Sequence, residues 1–245
     1  MPVDLSGTEE LTRQAVATYW RTLEEQGARQ AGGAASDRGR RAAVTGGKQM
    51  DGFCKLVKHV LLINGLKDSH VYMDAKLELP GYFRPTKKWD FLVVHNGVLL
   101  AAMEFKSQRG PSFGNNFNNR TEEAVGTGHD FATACREGIL GGKHPMPWLG
   151  WVMLLEDCPK SKAPVDVAEP HFKVFREFKE ASYAKRYEVL LRKLVREKLY
   201  DCAAFITATA EGGPAGDYIE PASDLTMRMF LANLGGHVAA YIAGK

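Results

Sequence analysis

The chain has 245 residues, 44% hydrophobic and 25% charged, a globular balance with length for one large core or two small ones. A net charge of +3 permits a nucleic-acid partner without demanding one. Four isolated cysteines (Cys54, Cys135, Cys158 and Cys202) form no CxxC pair, which argues against a zinc site or disulfide framework and for a reduced cytosolic setting.

The polar, acidic start MPVDLSGTEELTRQ is unlike a signal peptide, and no apolar run approaches the ~20 residues of a membrane span. Residues 8–26 predict an amphipathic helix, with Leu11, Ala15, Tyr19 and Leu23 four apart. A Gly-, Ala- and Arg-rich loop over 27–47 holds Arg38, Arg40 and Arg41, either solvated or ordered on a polyanion. A second helix is expected over 48–63, burying Met50, Phe53, Cys54, Val57, Val60 and Leu61. Residues 71–79 read as a strand, and Pro80-Gly81 and Arg84-Pro85 punctuate the loop after it.

The stretch 88–106, KWDFLVVHNGVLLAAMEFK, reads as two apolar strands joined at Asn96-Gly97. It carries Asp90, Glu104 and Lys106. Two carboxylates and a lysine on one hairpin suit a divalent metal and an activated water, the needs of phosphodiester hydrolysis. Glu104 and Lys106 are two apart and share a strand face. Asp90 must join them, and register decides whether it does. A regular two-residue turn pairs His95 with Val98 and sets Asp90 opposite Met103, on the wrong face. A three-residue loop of His95, Asn96 and Gly97 makes Asp90 and Glu104 diagonal neighbours, roughly 7–8 Å apart by Cα. The metal reading therefore requires that loop, or a bulge elsewhere in the hairpin. Such charges also occur solvated on surface hairpins. Here Ala101, Ala102, Met103 and Phe105 surround Glu104, and a carboxylate among apolar groups needs a partner or a metal.

The Gly- and Asn-rich stretch that follows is expected to be irregular, with a helix restarting near Asn119. Ser107, Gln108, Arg109, Asn115, Asn116, Asn118, Asn119 and Arg120 are candidate DNA contacts, because Asn and Gln amides pair with adenine and Arg with guanine. A structural turn loop with Asx motifs is the alternative. The match of Asn119-Arg120-Thr121 to a glycosylation sequon carries no weight without secretion. Residues 148–156 read as a strand, and 172–198 as basic and partly helical, with Tyr187, Leu190, Leu191, Leu194 and Val195 inward. The basic residues there are taken first as a solvated face and second as phosphate contacts. A strand over 202–209 and a helix over 225–242, with Met229, Leu231, Leu234, Val238 and Tyr241 among its apolar positions, complete the chain. The sum is an α/β fold, a mixed central sheet flanked by helices, in a single domain over 1–245 with its best candidate subdomain break near 159–170.

Asp90 followed by Glu104-Phe105-Lys106 resembles the PD-(D/E)xK nuclease signature, with Trp89 in place of the proline. SQRGPSFGNNFNNRTEEA after Lys106 and GGKQMDGF at 46–53 closely resemble the XhoI-type restriction endonucleases, over nearly the whole chain. The resemblance implies a restriction-endonuclease-like core and a bacterial cytoplasmic type II enzyme that cuts duplex DNA at CTCGAG after the first C, leaving four-base 5′ overhangs. It implies Mg²⁺, a homodimer and a companion DNA methyltransferase that forms no stable complex with it. Asp90 and Glu104 become metal ligands and Lys106 the water-orienting residue. Asp51 and Glu78 are candidates for an auxiliary acid, and Lys48 joins the candidate DNA contacts. Two other readings stay open: another PD-(D/E)xK nuclease that repairs DNA or resolves junctions by shape, and a DNA-binding module with a structural acidic cluster.

Overall fold

The computed structural model describes residues 2–31, 48–141 and 145–244. Helices α1 (Thr8–Ala31) and α2 (Asp51–Ile63) open the chain and pack together. Ala15, Tyr19 and Leu23 of α1 are buried in the same core as Phe53, Cys54, Val57, Val60 and Leu61 of α2. The helix α1 runs through Gly27, past its expected end. One glycine costs about 1 kcal/mol in a helix, and the Ala, Arg and Gln beyond it are strong helix formers. Arg38, Arg40 and Arg41 lie outside the described residues.

Strands follow as β1 (Val71–Tyr72), β2 (Glu78–Pro80), β3 (Thr86–Lys88), β4 (Phe91–His95), β5 (Val98–Gln108), β6 (Trp148–Glu156) and β7 (Cys202–Ala208). Five form one sheet in the order β1-β4-β5-β6-β7, and β2 and β3 form a separate ribbon. β4 is antiparallel to β1 and β5, while β6 runs parallel to β5 and β7. Helix α3 (Phe113–Arg136) makes the crossover from β5 to β6. A longer connection with α4 (Pro159–Lys162) and α5 (Tyr183–Arg196) links β6 to β7. Helix α6 (Met227–Ala243) ends the fold. The sheet separates two apolar layers: residues of α1, α2 and α6 line one face, and residues of α3 and α5 the other. This is the mixed sheet with flanking helices expected of a restriction-endonuclease-like core.

Three local expectations change. The single strand over 71–79 is two short strands: Met73, Ala75 and Leu77 do alternate with Asp74 and Lys76, but Lys76 takes a left-handed conformation, φ 58°, which interrupts the extended backbone. The Asn-rich stretch is helical from Phe113 onward. Phe113 and Phe117, one turn apart, pack on Tyr183 and Tyr187 with ring centroids 5.6 and 5.1 Å apart. That packing outweighs the weak helix propensity of Asn and Gly, at most about 1 kcal/mol per residue. In α6, Leu231, Leu234 and Val238 are buried but Met229 is 48% exposed.

Candidate active site

The hairpin turn is the regular two-residue kind. His95 pairs with Val98, and Asn96 and Gly97 both take positive φ, 50° and 78°, as a type I′ turn requires. The face is corrected further along. Val94 pairs with Leu99 but Val93 pairs with Ala101, so Leu100 is an extra residue on β5. Leu100 and Ala101 both enter the α1 side of the core, where strict alternation would separate them. Beyond the bulge Phe91 faces Met103, and one residue further Asp90 comes opposite Glu104. The bulge thus brings both carboxylates to the α3 side of the sheet edge.

Glu104 is 1% exposed and carries two ion pairs, one with Lys87 through Oε1 and one with Lys106 at 3.0 Å through Oε2. Lys106 also lies 3.6 Å from Asp90 Oδ2, which accepts the Phe105 backbone N–H at 2.9 Å. Burial alone would raise the Glu104 carboxyl, but Lys106 and Lys87 outweigh it and hold it below its ordinary range. For Asp90 the balance falls the other way. Desolvation, aided by Glu104, keeps it above its ordinary range despite Lys106. Burial opposes the charge of Lys106, and Glu104 and Asp90 overcome it, so the ammonium is retained to higher pH than usual. Two carboxylates and two ammonium groups leave the cluster near neutrality.

The cluster opens into a cleft of about 600 Å³. Glu104 and Lys106 form its floor; Phe83, Arg84 and Lys87 from the β2–β3 ribbon form one wall, and Arg120, Thr127 and Asp130 from α3 the other. The β3 register turns Lys87 inward with Leu79, while Glu78 pairs with Lys88 on the opposite ribbon face.

The family described as Restriction endonuclease XhoI matches residues 29–220 of this chain. The chain belongs to the XhoI restriction endonuclease family. The type II restriction enzyme BstVI of Geobacillus stearothermophilus is 52% identical over 212 residues, 84% of this chain and 94% of its own. The type II restriction enzyme XhoI of Xanthomonas vasicola is 51% identical over 201 residues, 80% and 78% of the two chains. The type II restriction enzyme AbrI of Azospirillum brasilense is 48% identical over 177 residues, 72% and 79%. No solved structure matches. The protein is therefore a site-specific deoxyribonuclease.

For an XhoI-family enzyme the donor set matters. Among the described residues no three His, Cys, Asp or Glu side chains group closely enough to hold a metal ion. The opposed oxygens of Asp90 and Glu104 fit a hard cation that keeps most of its waters, as Mg²⁺ does, and not a metal caged wholly by protein. Asp51 begins α2, and with Asp90 and Asp74 it acts electrostatically on the buried Cys54 thiol, which is pushed up by burial first. Among the described residues Asp51 completes no ligand set with Asp90 and Glu104. Glu78 is exposed and directed away from Lys87.

The expected DNA contacts divide. Arg120 lines the cleft and pairs with Glu123 at 2.6 Å. Asn115, Asn118 and Asn119 are exposed on the first turns of α3, Asn116 is half-buried, and Asn118 donates to Glu122 at 2.8 Å. Ser107 faces away from Lys106, on the side of the sheet where Tyr19 is buried. Gln108 is 4% exposed, accepts from the Tyr187 hydroxyl and donates to the Phe113 carbonyl at 3.0 Å. Its amide joins β5 to α3 and is closed to bases. Arg109 is exposed beyond it, and the Lys48 side chain lies outside the described residues. On α5, Arg192 makes a two-pronged pair with Asp224 and Lys193 pairs with Glu177 at 2.8 Å, a face of satisfied charges. Phe83, Arg84, Lys87 and Asp130 are cleft residues that sequence reasoning missed. The available signal for Lys87 was its two-residue spacing from the buried Trp89, over whose ring it lies at 5.1 Å.

Proposed function

We propose that the chain hydrolyses duplex DNA at the palindrome CTCGAG, after the first C, with Mg²⁺, as a homodimer of single endonuclease domains in the bacterial cytoplasm. Its host DNA would be protected by a companion methyltransferase. The alignment of Asp90 with Glu104 across the bulged hairpin, within reach of Lys106, carries the chemistry. The sequence cut rests on the resemblance of the chain to XhoI-type enzymes. Asp90 and Glu104 would hold the cation, which when bound supplies charge for the phosphate and acidifies a water. Lys106, fixed between the two carboxylates, orients that water and donates toward the phosphate oxygens. Arg84 and Arg120 offer guanidinium groups to the DNA backbone along the cleft walls. A palindrome matches two-fold symmetry, one half-site to each subunit.

Plasmid DNA of known sequence incubated with Mg²⁺ tests this directly. Fragments ending at CTCGAG are expected, with none from a methylated site. Smearing, junction-only cutting or no cutting would defeat the reading. Lys106→Ala should lower the cleavage rate by a factor on the order of 10³ while keeping specific binding in Ca²⁺. Full activity in that variant removes Lys106 from the mechanism.

A further inference from the structure

Residues 81–84 turn between β2 and β3 at the rim of the catalytic cleft. Their two aromatic side chains face solvent, Tyr82 at 53% and Phe83 at 67% exposure. The backbone beneath them is held firmly. Asp130 of α3, 5% exposed, accepts the backbone N–H of Tyr82 at 2.8 Å and of Phe83 at 2.7 Å through Oδ1. Its Oδ2 accepts Arg84 Nε at 2.7 Å, and Arg84 reaches Thr127 Oγ1 at 3.3 Å. Gly81 allows this fit, since a Cβ there would lie 2.6 Å from Asp130 Oδ2 and 2.8 Å from the Arg84 carbonyl oxygen. The Phe83 ring lies 18° from parallel with His129 at 5.8 Å, and Tyr82 meets Phe83 edge-on at 4.9 Å. A buried carboxylate that makes three bonds to a surface turn, while two large apolar rings stay in water, preorganises those rings for a ligand.

We propose that Phe83, backed by Tyr82, is an aromatic contact to the nucleotides flanking the scissile phosphate, and that Asp130 is the positioning residue presenting it. The proposal rests on the reading of the cleft as a DNA-cleaving site. Phe83 shares that cleft with Lys87, Lys106, Arg84 and Arg120, each ion-paired with a carboxylate of the same cleft, so one ligand meets both the charged groups and the aromatic rim. Duplex DNA offers both matching chemistries, phosphate oxygens for the cations, and sugar faces and thymine methyl groups for the ring.

The test uses the full chain and a short fluorescent duplex centred on the site mapped in plasmid DNA, with Ca²⁺ replacing Mg²⁺ for binding. Phe83→Ala is expected to weaken binding on the order of ten-fold with unchanged thermal unfolding. Asp130→Asn should also weaken it, and should add little in a background of Phe83→Ala with Arg84→Ala, because it acts through that turn; fully additive losses there would remove Asp130 from the positioning role. Phe172→Ala, at an aromatic 89% exposed and outside the cleft, should bind as wild type does. A Phe83→Ala protein that binds and cuts normally overturns this proposal alone, as does an equal loss in Phe172→Ala. A wild type that neither binds nor cuts any duplex overturns the nuclease reading and this proposal with it.

Discussion

Asp90 and Glu104 face each other across the hairpin and burial raises both, yet their net shifts are opposite. Glu104 has two lysines against it, one at 3.0 Å, whereas the nearest ammonium to Asp90 lies at 3.6 Å. The pKa of Asp90 is raised above its ordinary 3.8, so its ionisation opposes folding. That cost is absent below pH 3.8 and grows as pH rises through the folded-state value. At neutral pH, Asp90→Asn should therefore raise the melting temperature of protein held in EDTA. Added Mg²⁺ should raise the melting temperature of the wild type more than that of the variant, since a cation between the carboxylates stabilises the charged form. Thermal scans at neutral pH with and without Mg²⁺ measure both effects. A lower melting temperature for the variant in EDTA would show that the ionised carboxylate stabilises the fold. The three charged residues were legible because they interrupt apolar runs. Lys87 was not, because what draws it into the cluster is a carboxylate seventeen positions away, on another strand.

The bulge at Leu100 and the start of α3 are the elements that shape the site. Both depend on packing more than on local propensity. The turn chemistry of Asn96-Gly97 was plain from the sequence, and so was the demand that a bulge or longer loop correct the face. Which residue bulges was not, because Leu99, Leu100 and Ala101 are all apolar and any could slip; burial of Leu100 and Ala101 on one core face selects it. The first turns of α3 are Asn- and Gly-rich, so their helix rests on Phe113, 1% exposed. Phe113→Ala should cost about 3–5 kcal/mol and free the Gln108–Tyr187 junction. Hydrogen exchange should then speed up over residues 113–120 before the sheet is affected. Uniform protection in the variant would show that α3 holds its first turns without that anchor.

At the scale of the molecule, net charge is only +3, so DNA affinity must come from where cations sit. Lys87, Lys106, Arg84 and Arg120 converge on one cleft from two strands, a turn and a helix. On α5, Lys185, Arg192 and Lys193 are paired with acids as the cleft cations are, and they lie outside the cleft. A two-fold dimer on a palindrome makes a further prediction. Wild-type subunits mixed and refolded with an excess of Lys106→Ala subunits should convert supercoiled plasmid mainly to nicked circles, as each active subunit cuts one strand. Linear product alone, in proportion to wild type, would argue against one cut per subunit. No helix among the described residues is long and apolar enough to cross a membrane.

Local pattern was enough to identify the faces of α1, α2 and α5 and the strand β6, and to single out Asp90, Glu104 and Lys106, which the fold brings together. These signals are periodic or compositional and lie within a few residues of each other. The bulge, the inward turn of Lys87, the closure of Gln108 and the anchoring of Tyr82 and Phe83 by Asp130 depend on partners elsewhere in the chain. Asp130 stands 48 residues from Tyr82 in sequence, and Gln108 stands 79 from Tyr187. Such pairings are settled by which side chains the packed sheet and helices bring together, and no short window of sequence contains both partners.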